Sequence, residues 1–256
     1  MNTDNTLEKF PKHSVWQSIL LHLIPGVLIF VVYVVSASIL VNRLPSVALL
    51  AALSLGIVLA LIPFELGCLI SQGWREHRSF SLSGIVLYRE PIRIWDYVLF
   101  IPLLLIWAVF CFAVISPPIE VCLQRTVFAW WPNWLIPSAM DTSTFSTNPA
   151  LGLIALASLP LQAIIGPIVE ELYFRGYLLP RLSHLKAWAP LINTVLFSLY
   201  HFFTPWQNPA RILALLPAVY LVQRKRNIYL SIVFHIVLNL IGPSLIAILS
   251  EVVQAK

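Results

Sequence analysis

Three charged residues stand together inside a long apolar part of the chain, in the stretch GPIVEELYFRGYLLPRL that begins at Gly166. Glu171 and Arg175 are four residues apart and share one helix face, which predicts that they form an ion pair. Glu170 is five residues from Arg175, about 140° around the helix axis, and has no partner nearby in sequence. The stretch is therefore either the rim of a membrane helix or the centre of a site.

Two later stretches carry further polar groups at helical spacing. NTVLFSLYHFF places Asn193, Phe197 and His201 on one face, and SIVFHIVLNL places His235 and Asn239 one turn apart. Ionisable side chains inside a membrane are costly, and they are therefore candidates for function. Depth in the membrane can be counted from the expected helix ends at about 1.5 Å per residue. On this count, depths of about 12 to 21 Å are obtained for Glu170, His201, His235 and Asn239. These depths are compatible with one site formed by three helices.

The composition predicts a membrane protein. Of 256 residues, 59% are hydrophobic and 11% are charged, whereas about 25% of the residues of a soluble domain are charged. The expected fold class is all-α, a polytopic integral membrane bundle of about seven spans. Runs long enough to cross, or nearly so, lie at 15–41, 46–71, 97–116, 150–181, 187–204, 209–223 and 228–249. The sixth run is short and is interrupted by Pro217.

Positive charge is distributed unevenly between the two sides of these spans. With the N-terminus in the cytoplasm, twelve of the 16 Lys and Arg residues face the cytoplasm, and four face the opposite side: Arg43, Arg125, Arg211 and Lys256. Cytoplasmic loops of membrane proteins are enriched in these residues, so we predict an N-in, C-out topology. Topology accounts for the net charge of +5, and we expect no nucleic-acid partner. Segments 72–96 and 117–149 are expected at the two membrane interfaces.

The polar groups fall into three motifs: EExxxR at Glu170, FxxxH at Phe197 and HxxxN at His235. In order and span placement they resemble the CPBP family of intramembrane glutamic endopeptidases, which includes CAAX prenyl proteases, Abi proteins and bacteriocin-processing relatives. The resemblance covers about residues 150 to 245. It predicts a catalytic core at 146–250, preceded by N-terminal spans, an interfacial segment and an external loop at 1–145.

The resemblance also implies a role for each motif residue. Glu170 and His201 would activate a water molecule, while His235 and Asn239 would form the oxyanion hole. The residue types permit these roles, because a carboxylate in an apolar helix environment is a stronger base than in water. The expected substrate is a membrane-associated peptide or protein, and the expected location is a bilayer, in particular a bacterial plasma membrane.

Other chemistry is available to the same residues. Two His with a Glu are a zinc-like ligand set, but no HExxH is present and the groups are spread over three helices, so zinc is possible but not favoured and no cofactor is expected. Ser198 and Ser231 precede the histidines, yet serines inside membrane helices usually bond to their own backbone. Glu65, inside the second span, either lines a substrate groove or extends toward Arg75.

A second class of function stays open, a membrane protein that binds a partner without cleaving it, of the bacteriocin-immunity or scaffold type. A protein that only binds has no need of four polar groups at one depth, so the sequence favours the enzyme.

Overall fold

The computed structural model describes residues 11–137 and 148–254, and the chain in these ranges is helical, without a strand. Its long helices are α1 (Val15–Leu40), α2 (Ala48–His77), α3 (Ile94–Arg125), α4 (Pro149–Arg181), α5 (Trp188–Leu199), α6 (Asn208–Lys225) and α7 (Ile228–Gln254). Short 3₁₀ turns lie at Asn133–Leu135, Ser183–Leu185 and Pro205–Gln207.

Five of these helices are long and apolar enough to cross a membrane: α1, α2, α3, α4 and the part of α7 from Ile228 to Ile246. Helix α5 is apolar but has only 12 residues, and α6 carries Arg211. The expected all-α polytopic membrane bundle is confirmed. The count of seven crossings and the N-in, C-out orientation stay predictions, and Lys9 and Lys256, which enter the charge count, lie outside the described residues.

Among the predicted boundaries that differ from the structure are the ends of α3 and α5. Helix α3 continues to Arg125, so the first nine residues of the expected external loop are helical, and residues 138–147 of that loop lie outside the described part. Helix α5 ends at Leu199 instead of continuing to residue 204. Pro205 disfavours helical backbone at the residue before it, and Thr204 is accordingly non-helical, with φ −139° and ψ 59°. His201 therefore lies in the turn after α5.

Three of the helices contain wide π-helical turns: Ile57–Leu66 in α2, Cys111–Ile115 in α3, and Leu161–Ile165 and Glu171–Leu178 in α4. Pro63 lies inside the first of these, and Pro167 follows the third. Because proline has no N–H to donate, it breaks the regular helical ladder at these points. Turns of this kind are frequent at functional sites, and here they contain Glu65, Glu171 and Arg175.

The C-terminal half of helix α4 is buried in the bundle. Tyr173, Phe174 and Leu178 are fully buried. The segment between α2 and α3, expected against the headgroups, instead packs its centre into the bundle: Ile85 is fully buried, and the Leu87 N–H donates to the Gly176 carbonyl of α4 at 2.8 Å. Helix α4 is thus held from several sides, which fixes the side chains that it carries.

Candidate active site

A cavity of about 640 Å³ lies between the helices. Its wall is mainly apolar, and all seven helices, α1 to α7, contribute to it. Its polar lining comes from Ser158, Gln162, Glu170, Tyr200, His201, Gln207, Arg211, His235 and Asn239. The four residues predicted to be catalytic are all among them.

Glu170 enters this cavity from α4 while remaining only 8% exposed. Its Oε1 lies 3.2 Å from the Tyr200 hydroxyl oxygen. Its Oε2 lies 3.9 Å from His235 Nε2, which is longer than a hydrogen bond. The carboxylate is therefore held at one oxygen, and the other is close to the imidazole of α7.

His201 is fixed by the end of α5. Its Nδ1 lies 2.9 Å from the Phe197 carbonyl oxygen. A carbonyl can only accept, so Nδ1 carries a hydrogen, and in the neutral ring Nε2 is then an acceptor. Asn193, predicted on the same stripe, is not at the cavity: it contacts His22 Nε2 and donates to the Phe174 carbonyl, each at 3.0 Å.

Glu171 and Arg175 form a buried ion pair, with Glu171 Oε2 3.4 Å from Arg175 Nε and side chains 3% and 2% exposed respectively. The pair lies in the core of the bundle, not at its rim. The guanidinium also stacks 3.8 Å from the centre of the Phe197 ring. Glu171 has a second contact that the sequence did not predict, since His235 Nδ1 lies 3.0 Å from its Oε1. Glu171 therefore orients the imidazole as well as pairing with the arginine.

Asn239 is held from α4. Its Nδ2 donates to the Gln162 carbonyl at 3.1 Å, and that carbonyl belongs to the π-helical turn Leu161–Ile165. The contact joins α7 to α4 and keeps the amide at the cavity wall.

Glu65 has neither of the predicted placements. It is fully buried and is not part of the cavity lining, and its hydrogen bond comes from the Tyr200 hydroxyl at 2.9 Å instead of from Arg75. Sequence reasoning also missed Tyr200 itself. Its position inside FSLYH, directly before His201, was an available signal.

Arg211 is the other site residue that sequence reasoning missed, since we assigned it only to the outer face of the membrane. It is 7% exposed and lines the cavity. Its guanidinium donates to Asn208 Oδ1 at 2.6 Å, to Thr204 Oγ1 at 2.9 Å and to Gln207 Oε1 at 3.2 Å. These three partners are neutral, so they hold the guanidinium at the cavity wall without neutralising its charge.

The fold and the cavity define a polytopic membrane protein with a polar site enclosed by apolar helices. Residues 152–241 match the family model described as Rce1-like, Type II CAAX prenyl endopeptidase Rce1-like. No curated protein and no solved structure matches the chain significantly. Residues 152–241 are thus similar to a family of CAAX proteases, which are peptidases, and this confirms the resemblance that the motifs indicated. The matched range carries all three motifs.

Proposed function

We propose that this protein is an intramembrane endopeptidase of the glutamic type that hydrolyses a peptide bond of a membrane-associated peptide or protein. The observation that carries the proposal is that Glu170, His201, His235 and Asn239, from separate parts of the chain, line one cavity. The match to a CAAX protease family supports the peptidase activity. A location in a bacterial plasma membrane is part of the same proposal.

In the proposed reaction, Glu170 removes a proton from a water molecule, and the water oxygen bonds to the substrate carbonyl carbon. His201 Nε2 is an acceptor when the ring is neutral and holds the second hydrogen of this water. When the C–N bond breaks, Glu170 returns the proton to the departing amine nitrogen. No other proton donor is needed in this scheme, because Glu170 transfers to the amine nitrogen the same proton that it removed from the water.

The developing oxyanion is stabilised by His235 and Asn239 in this proposal. Glu171 supports it by accepting a hydrogen bond from His235 Nδ1. With Nδ1 engaged as a donor, Nε2 can donate to the oxyanion only when the imidazole carries both hydrogens. By holding Nδ1, Glu171 leaves Nε2 as the ring nitrogen of His235 on the side of Glu170.

The proposal is tested with the purified protein and quenched-fluorescent peptides presented in detergent and in liposomes. We expect cleavage by the wild-type protein and none by Glu170→Gln, which keeps the side-chain volume but cannot accept the proton. Glu76→Gln on α2 is the matched control, since this side chain is 41% exposed and is expected to be neutral.

The alternative is a non-proteolytic membrane protein of the bacteriocin-immunity or scaffold type. It predicts that the wild-type protein cleaves none of the peptides and that Glu170→Gln binds a partner as the wild-type protein does. Cleavage that persists in Glu170→Gln at the wild-type rate would remove the glutamate from its proposed role.

A further inference from the structure

Two carboxyl groups share one tyrosine hydroxyl at the edge of the site. The Tyr200 hydroxyl oxygen lies 2.9 Å from Glu65 Oε1 on α2 and 3.2 Å from Glu170 Oε1 on α4. A hydroxyl has one hydrogen and can donate it to one acceptor at a time. For both contacts to be hydrogen bonds, a second hydrogen is required, and it must be held by one of the two carboxyl groups.

The surroundings favour Glu65 as the group that holds this hydrogen. Glu65 is fully buried, and its Oε2 has no hydrogen-bond partner among the described residues. An ionised carboxylate there would be a buried charge without compensation, which is strongly unfavourable. Arg175, whose charge acts on Glu65, is already paired with Glu171. Of the other titratable groups near Glu65, Tyr173 donates its hydroxyl hydrogen to the Leu21 carbonyl.

Glu170 is better placed to carry the negative charge. It lines the cavity and is 8% exposed, whereas Glu65 is 0% exposed, and His235 Nε2 lies 3.9 Å from its Oε2. The second hydrogen is thus assigned to Glu65, which is a neutral acid in the core, and the negative charge to Glu170, which is the ionised base at the cavity.

We propose that Glu65 is a positioning residue that keeps its proton and donates it to the Tyr200 oxygen, so that the single hydroxyl hydrogen of Tyr200 points at Glu170. The inference rests on the proposed role of Glu170 as the base. If Glu65 were ionised, the tyrosine hydrogen would turn to it, because it is the nearer acceptor, and Glu170 would lose its donor. The residue that sets the direction of the catalytic carboxylate therefore lies on α2, outside the family match at 152–241.

Infrared spectroscopy tests the protonation state without using activity. We expect a carboxylic-acid C=O stretching band in the wild-type protein at neutral pH, lost in Glu65→Gln and unchanged in Glu76→Gln. In Tyr200→Phe the band should remain but shift, because the acid has lost its hydrogen-bond partner. A wild-type spectrum without the band, or a band that survives unchanged in Glu65→Gln and in Tyr200→Phe, would overturn the inference.

Kinetics test whether the arrangement acts on Glu170. Tyr200→Phe removes a hydrogen bond to a charged group and should lower kcat by about 10- to 10²-fold. Glu65→Leu removes the donor to Tyr200 and should lower kcat by up to about tenfold, while Glu65→Gln, whose amide can still donate, should recover most of that loss. Since Glu65 acts through Tyr200, the double variant Glu65→Leu with Tyr200→Phe should be no slower than Tyr200→Phe alone.

Additive losses in the double variant, or an equal loss in the glutamine and leucine variants, would contradict the positioning role. KM should stay near the wild-type value in all Glu65 variants, because this side chain does not line the cavity. Failure of the proposed function can be distinguished from failure of the inference. If the wild-type protein cleaves no peptide, the proposed role of Glu170 as the base is contradicted. If it cleaves but lacks the infrared band, only the proposed protonation of Glu65 is contradicted.

Discussion

Glu171→Gln is expected to be the most destabilising conservative change in the site. The variant keeps the side-chain volume but removes the only carboxylate that the structure pairs with Arg175 among the described residues. Arg175 is 2% exposed, and its Nε and Nη1 have no hydrogen-bond partner in the described part of the chain, so the guanidinium would become a buried unpaired cation. Breaking a buried pair from one side typically costs about 3 to 5 kcal/mol.

The reciprocal change, Arg175→Met, should cost less. It strands Glu171, but His235 Nδ1 still lies 3.0 Å from the remaining carboxylate and can donate a hydrogen bond to it. Loss of the guanidinium over the Phe197 ring, 3.8 Å from its centre, removes a further contact worth about 0.5 to 2 kcal/mol. The double variant Glu171→Gln with Arg175→Met leaves no unpaired arginine and should be more stable than Glu171→Gln alone.

The assay is the apparent melting temperature of the protein in detergent, together with the folded yield. At about 2 to 4 °C per kcal/mol for chains of 150–250 residues, 3 to 5 kcal/mol corresponds to a drop of about 6 to 20 °C. Glu76→Gln again serves as the control for the loss of one carboxylate. A melting temperature of Glu171→Gln equal to that of the wild-type protein would refute the reasoning. A double variant less stable than both single variants would also refute it.

Three further outcomes are expected from the site and the topology. Asn239→Ala removes one proposed oxyanion donor and should slow turnover by about 10²- to 10³-fold with the melting temperature nearly unchanged; an unchanged rate would assign the amide to packing against α4. Thorough chelation should leave cleavage intact, and loss of activity that returns with stoichiometric zinc would replace the glutamate mechanism. Reporter fusions after Gln223 should report the cytoplasm and fusions at Lys256 the opposite side; a cytoplasmic signal at Lys256 would point to a miscount at α6.

The features that the sequence predicted correctly depend on local spacing or on the motifs. Glu171 and Arg175 pair because residues four apart meet on a helix, and this holds even within the wider turn Glu171–Leu178. The apolar runs are local too, and they predict the helical bundle. That His201, His235 and Asn239 line one cavity was anticipated from depth and from family resemblance.

The features that the sequence did not predict arise from contacts between distant segments. Glu65 and Tyr200 are 135 residues apart in sequence, and hydropathy gives no information on which helices face each other. The second contact of Glu171, with His235, crosses from α4 to α7. Arg211 was assigned by its charge to the membrane surface, whereas the turn before α6 and the first residue of α6 supply enough oxygen acceptors to bury it.

Helix α1 lies outside the family match, yet it packs directly against the site. An added Cβ at Gly26 would overlap the backbone oxygen of Tyr200 and would lie 2.9 Å from Tyr200 Cδ2, where ordinary contacts begin at 3.4 Å. The backbone oxygen cannot move aside as a flexible side chain can. Gly26→Ala should therefore displace the turn after α5, which carries Tyr200 and His201, by several tenths of an ångström.

A displacement approaching 1 Å at catalytic groups can reduce the rate by about 10²-fold, so Gly26→Ala should lower kcat strongly while the protein still folds. Gly67→Ala on α2 is the matched control: the same substitution in a helix, at a position where an added Cβ meets no atom within 4 Å. Alanine is favoured over glycine in a helix by about 0.5 to 1 kcal/mol, so Gly67→Ala should melt at or above the wild-type temperature and cleave normally. Equal kinetics for the two variants would mean that α1 does not set the position of Tyr200, and that the site depends only on the segment from α4 to α7.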